Sequence, residues 1–89
     1  MLNNDSKGSV KDRVAVTVQR LLVERSINED LRSGDDLRAA GLSSLDIVNL
    51  MLSIEAEFDI EIPEAEITPA NFRSISTISS LMSALLPKT

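Results

Sequence analysis

Apolar residues spaced three and four apart recur in three separate stretches of this chain, and this pattern restricts its fold more than any other feature. Val14, Val18, Leu21 and Leu22 mark the first, from about Val10 to Glu24. The second runs from Ser44 to Phe58. Ile75, Ile78, Met82 and Leu85 mark the third, which begins at Ser74 or Ser76 and ends at Leu86. Such spacing brings one face of a helix to a core. Ser9 with Asp12, and Ser43 with Asp46, have the separation of N-cap pairs, and Pro87 stands just past the last helix. Phe58-Asp59-Ile60-Glu61-Ile62-Pro63 alternates with period two, but no second run exists to pair with it, so it reads as an extended linker. Pro63 can open a short helical turn through Glu64-Ala65-Glu66-Ile67, with Pro69 ending it. The expected fold is an all-α bundle of three long helices and one short helix. A long loop, residues 25–43, separates the first two, and its spaced Ile27, Leu31, Leu37 and Leu42 suggest that it packs by its own side chains.

With 89 residues, 43% of them apolar, the chain has material for one core and not two. Residues 9–86 are expected to form that single domain, residues 1–8 a flexible N-terminal segment and 87–89 a C-terminal tail. Cys and His are both absent, which removes disulfides, thiol nucleophiles, zinc–thiolate sites and imidazole bases. A net charge of −5 argues against nucleic-acid binding, which needs a cationic face. No segment has the length of a membrane span, and Met1 to Gly8 lack a signal-peptide apolar region, so a cytoplasmic protein without membrane insertion is expected. Asp59, Glu61, Glu64 and Glu66 could attract cations, but no glycine-centred EF-hand loop accompanies them, and no metal site is expected.

The charge is unevenly placed. Residues 1–34 balance to +1, whereas residues 35–66 hold nine acids and a single base, Arg38, for −8. A field concentrated in this way steers basic partners to one face, although a solvated helix surface would look the same in sequence.

The second helix has two apolar rows. At about 100° per residue, Ile47, Leu50, Met51, Ile54 and Phe58 fall within roughly 100° of arc, the width of a core face. Leu45, Val48 and Leu52 form a second row some 130° away. In so thin a bundle the second row is either exposed as a docking surface rimmed by Asp46 and Glu55, or covered by the long loop through Leu37 or Leu42.

Ser44 stands at the head of that helix, beside the second row. No His is present to activate it, and Lys7, Lys11 and Lys88 lie in the terminal segments, which argues against a self-sufficient serine hydrolase. A helix start does favour an anion through its free N–H groups and dipole. The hydroxyl is therefore either a simple cap or an acceptor for chemistry supplied by another protein.

Gly41-Leu42-Ser43-Ser44-Leu45-Asp46-Ile47-Val48-Asn49-Leu50 resembles the prosthetic-group site of acyl carrier proteins. The resemblance continues through Asp35-Asp36-Leu37 before the site and through Ile54-Glu55-Ala56-Glu57-Phe58-Asp59-Ile60-Glu61-Ile62-Pro63 after it, and about residues 10–86 fit the family's helix order. It implies an acyl-carrier-protein-like bundle and a carrier, not an enzyme. A phosphopantetheinyl transferase would move 4′-phosphopantetheine from coenzyme A onto Ser44, and the arm's thiol would hold acyl or aminoacyl cargo as a thioester. The family likeness also implies docking of basic partner enzymes on Leu45, Asp46, Val48, Leu52 and Glu55, and a cargo cavity near Ile54, Ile62 and Phe72. A monomer is expected, loaded by a ligase, synthase or transferase for fatty-acid, polyketide or other specialised biosynthesis. The alternative is an unmodified helical adaptor that binds through Leu45, Val48 and Leu52.

The chain departs from the family in places. Ser43 stands where an Asp usually precedes the modified serine, and Asn49 and Ala56 replace acids of the second helix. Each missing carboxylate weakens steering by at most about 1 kcal/mol at an exposed rim. These departures, with the strings Ala39-Ala40-Gly41-Leu42-Ser43-Ser44 and Leu50-Met51-Leu52, resemble specialised stand-alone bacterial carriers, aminoacyl carriers among them.

Overall fold

The computed structural model describes residues 8–87 and contains helix α1 (Val10–Glu24), helix α2 (Ser44–Phe58), a 3-10 turn (Glu64–Glu66) and helix α3 (Ile75–Leu85). No strand occurs among the described residues. Residues 1–7 of the expected N-terminal segment and residues 88–89 of the tail lie outside the described residues.

Local chemistry sets the helix starts. Ser9 Oγ accepts from the Asp12 N–H at 3.1 Å while Asp12 Oδ2 accepts from the Ser9 N–H at 3.4 Å. At α2 the Asp46 N–H donates to Ser43 Oγ at 3.1 Å and the Ser43 N–H to Asp46 Oδ2 at 3.0 Å. Each box satisfies donors that the first turn leaves open. A third box opens α3, where Ser74 and Thr77 exchange the same pair of bonds at 3.1 and 3.0 Å. Ser74, not Ser76, is thus the cap. Helix α2 ends at Asp59, whose φ of 54° is left-handed, and the Ile60 N–H then returns to the Glu55 carbonyl at 3.2 Å.

One cluster of buried side chains joins the three helices: Val14, Val18, Leu21 and Leu22 from α1, Leu50, Ile54 and Phe58 from α2, and Ile75, Ile78, Leu81 and Met82 from α3. Ile62 and Phe72 close it from the segment between α2 and α3. The period-two run begins inside α2, at Phe58, turns at the left-handed Asp59 and continues without regular structure to Pro63; Phe58 and Ile62 enter the core and Ile60 packs against it. Two expected core positions of α2 differ. Ile47 and Met51 are only half-buried, because they sit on the side of the helix that faces a groove. Arg13, off the apolar row of α1, is also drawn in. Its guanidinium carbon lies 4.2 Å from the centroid of Phe58, and its Nε bonds Glu57 Oε2 at 2.9 Å.

The long loop is packed, as its spaced leucines suggested. Leu37 and Leu42 are buried in the core, with Ile27 and Leu31 packed against it. Two backbone bonds fasten the loop to the start of α3: the Leu37 N–H donates to the Arg73 carbonyl and the Ser76 N–H to the Ser33 carbonyl, both at 2.8 Å. Gly41 adopts φ 122°, a conformation that L side chains rarely take. A Cβ there would meet Ile27 Cδ1 at 3.4 Å, an ordinary contact, so it is the backbone conformation that calls for glycine. This turn delivers the chain to Ser43 and the head of α2.

Candidate functional site

Ser44 is the first residue of α2, and its side chain is exposed. Ser43 performs the capping, so the Ser44 hydroxyl is not committed to the helix start. Instead Arg38 Nη1 donates to Ser44 Oγ at 2.8 Å. A hydroxyl has two acceptor lone pairs and one donor. Arg38 occupies one lone pair and leaves the O–H and the second lone pair available. Guanidinium is not a base, so the contact does not make Ser44 a hydrolase nucleophile.

Arg38 is held where it is by its own loop. The Asp36 carboxylate accepts from the Arg38 N–H at 2.8 Å and from the Ala39 N–H at 3.3 Å. The intervening residue, Leu37, is buried in the core. Sequence reasoning overlooked Arg38 as a site residue. The available signal was its position, as the one base within the acidic stretch and six residues ahead of Ser44.

Beside Ser44 lies a groove of about 570 Å³ between α2 and the segment preceding α3. Ile47, Val48 and Met51 form its α2 wall, Ile67 to Ala70 and Phe72 the opposite wall, and Asp36, Arg38, Ser44 and Arg73 its polar border. Of the three expected cargo-cavity residues, only Phe72 lines it. Ile54 and Ile62, 0% and 3% exposed, belong to the closed core instead. They lie on the inward row of α2 and the inward side of the linker, where neighbouring helices fill all the space. The groove formed one helix turn outward, against Ile47 and Met51.

The second row of α2 is open: Leu45 is 69%, Val48 47% and Leu52 53% exposed. The loop does not cover it, since Leu37 and Leu42 turn into the core. The two carboxylates expected at its rim are both engaged within the chain. Asp46 pairs with Arg25 through Oδ1 at 2.6 Å, besides its part in the cap. The Ser43 backbone N–H, followed by the Arg25 guanidinium, holds the Asp46 carboxyl below the usual carboxylate range, and Arg25 is raised by the same bond. Glu55 Oε2 accepts from the Ile62 N–H at 2.8 Å and so fixes the linker after α2.

The geometry suits a phosphate-linked arm: an exposed serine oxygen at a helix N-terminus, a cation on that oxygen and an apolar groove alongside. The comparisons with known proteins agree. A family model described as the phosphopantetheine attachment site matches residues 14–85. Over 81 residues the chain is 42% identical to aminoacyl carrier protein 1 of Bradyrhizobium diazoefficiens, an overlap of 90% of either chain. A crystal structure of a Bradyrhizobium japonicum glycine:carrier-protein ligase complexed with its cognate carrier protein and a glycyl-adenylate analogue gives a TM-score of 0.77 at 36% identity, covering 84% of this chain and 96% of that one. The same ligase complexed with glycylated carrier protein gives 0.75 at 38% identity, covering 81% and 96%. The match extends from the first core valine of α1 to the last residue of α3, and the chain belongs to the phosphopantetheine-attachment-site family, as a carrier of the acyl and aminoacyl carrier protein type.

Proposed function

We propose that Ser44 is the attachment point of the 4′-phosphopantetheine arm and that the chain, with residues 9–86 as its carrier domain, holds a small aminoacyl group on it. The observation that carries this reading is the Ser44 hydroxyl, freed from capping by Ser43, exposed, and set on the border of the groove. A phosphopantetheinyl transferase joins Ser44 Oγ to the phosphorus of the pantetheine phosphate in coenzyme A. The hydroxyl proton is lost and adenosine 3′,5′-bisphosphate departs. When attached, the arm supplies the thiol that this Cys-free chain lacks, for a thioester with the cargo carboxyl.

The relatives supply the cargo class. A glycyl group on the Bradyrhizobium carrier, and the aminoacyl carriers with which this chain shares most of its length, favour an amino acid over a fatty acid. The loading enzyme is then an amino acid:carrier-protein ligase, docked on Leu45, Val48 and Leu52 with Asp46 and Glu55 at the edge. The domain itself catalyses nothing: it presents the hydroxyl as a monomer in the cytoplasm, and its partners do the chemistry.

Incubation with coenzyme A and a broad-specificity transferase tests the attachment. Intact mass should rise by one phosphopantetheine, and Ser44→Ala should abolish the gain. With ATP, glycine and a glycine:carrier-protein ligase, the modified chain should gain a further glycyl mass that hydroxylamine removes. An unchanged mass in the first step, or modification of Ser44→Ala, would overturn the attachment and leave the unmodified adaptor.

A further inference from the structure

The geometry points to Arg38 as the residue that holds the phosphodiester of the modified chain, its guanidinium passing from Ser44 Oγ to the phosphate oxygens and fixing the root of the arm on the border of the groove. This rests on the reading that Ser44 carries the arm, and it assigns a positioning role to a residue six positions before the site.

Arg38 Nη1 already lies 2.8 Å from Ser44 Oγ. Once that oxygen is esterified it becomes a bridging oxygen and a poor acceptor, while full negative charge appears on the two non-bridging oxygens one bond beyond phosphorus. A guanidinium offers five N–H donors in a planar fork, and its bonds to phosphate are charge-assisted and often bidentate. Only one of those donors has a partner among the described residues, and no described carboxylate pairs with the Arg38 side chain. The other arginines that reach α2 are committed, Arg13 to Glu57 and Arg25 to Asp46. The Arg38 backbone is anchored by the Asp36 carboxylate and by buried Leu37, so the side chain can turn without moving the loop. Arg38 and Ser44 share the border of one groove, so a phosphate drawn toward Arg38 starts the arm along the groove and not outward from the helix end.

The test uses the modified full-length chain. Wild type, Arg38→Gln, Arg38→Lys and Arg73→Gln are each charged from coenzyme A, and intact mass confirms modification before the 31P resonance of the phosphodiester is recorded. The wild-type resonance should be displaced from that of Arg38→Gln, with Arg38→Lys restoring part of the displacement. Arg73→Gln removes an equal charge from the groove border without touching Ser44, and should leave the resonance in place. In wild type, with no substitution needed, the Arg38 Nε–H resonance should shift between unmodified and modified protein, and salt of about 1 M should reduce the 31P displacement. Coincident resonances for wild type and Arg38→Gln, an equal movement in Arg73→Gln, or an unmoved Arg38 Nε–H overturn the assignment. A wild-type chain that gains no phosphopantetheine mass refutes the Ser44 reading itself, so the two failures are told apart.

Discussion

Helix α2 carries two apolar rows built from the same kinds of residue, and they have opposite fates. Leu50 and Ile54 are wholly buried and Phe58 nearly so, whereas Leu45, Val48 and Leu52 are about half or more exposed. Nothing in residue type distinguishes Leu50 from Leu52. The difference is made by neighbours: α1 packs on α2 and the shared core takes in one row, and the loop that could have covered the other turns its own leucines into that core. An apolar row left open in a small domain adds little folding stability, which is what supports the docking role proposed for it.

Truncation of the inner row gives the largest effect. Ile54→Ala should lower unfolding free energy by about 2–5 kcal/mol in urea titrations, since the side chain is wholly buried and its loss leaves a cavity. A loss below about 1 kcal/mol would erase the contrast between the rows. The outer row should respond in the opposite sense. Leu52→Asp should leave stability within about 0.5 kcal/mol of wild type and slow ligase loading by on the order of tenfold, measured as thioester formed per unit time on modified protein. Equal loading would remove the outer row from docking.

Smaller effects sharpen the comparison at the two ends of the helix. At the C-terminal end, Arg13→Ala loses the Glu57 pair and the contact over Phe58, which are partly exposed, and should cost about 1 kcal/mol in the same titration. At the N-terminal end the effect is confined to acid. The Asp46 carboxyl titrates below its unfolded value, so its contribution is complete at neutral pH and down to about pH 4, then disappears as pH falls through the lowered value. The difference in urea midpoint between wild type and Asp46→Asn should therefore be constant above about pH 5 and shrink below about pH 4.

Much of this was legible in the sequence because it is local. Ser9 with Asp12 and Ser43 with Asp46 announce helix starts through residues three apart, and the structure has α1 and α2 at the expected limits. At α3 the partner of Ser74 is Thr77 and not an acid, and there the start could be placed only to within two residues. Ser44 itself stood out by motif and position. What escaped depends on distant segments meeting. The groove needs residues 67–73 brought against Ile47 and Met51, and periodicity along α2 cannot show that. Ile54 and Ile62 were assigned to it only through the family likeness, which places cargo between the second helix and the short helix, yet the bundle encloses both. Arg38 reaches Ser44 only through the turn that Asp36 holds, and Asp46 and Glu55 looked like free rim charges until Arg25 and the Ile62 N–H were seen to occupy them.

The anchoring of the long loop has a mechanical consequence. Leu37 and Leu42 are sunk in the core on one side of Ser44, and Leu50 is sunk on the other. Two backbone bonds also fasten the loop to the start of α3. If Ser44 carries the arm as proposed, the arm is rooted in a loop–helix junction that is anchored on both sides. Cargo handed from one enzyme to the next has to be carried by rotation of the arm about that root or by reorientation of the whole domain in a partner's cleft. The radius within which a loaded thioester can be delivered is then set chiefly by arm length and docking angle.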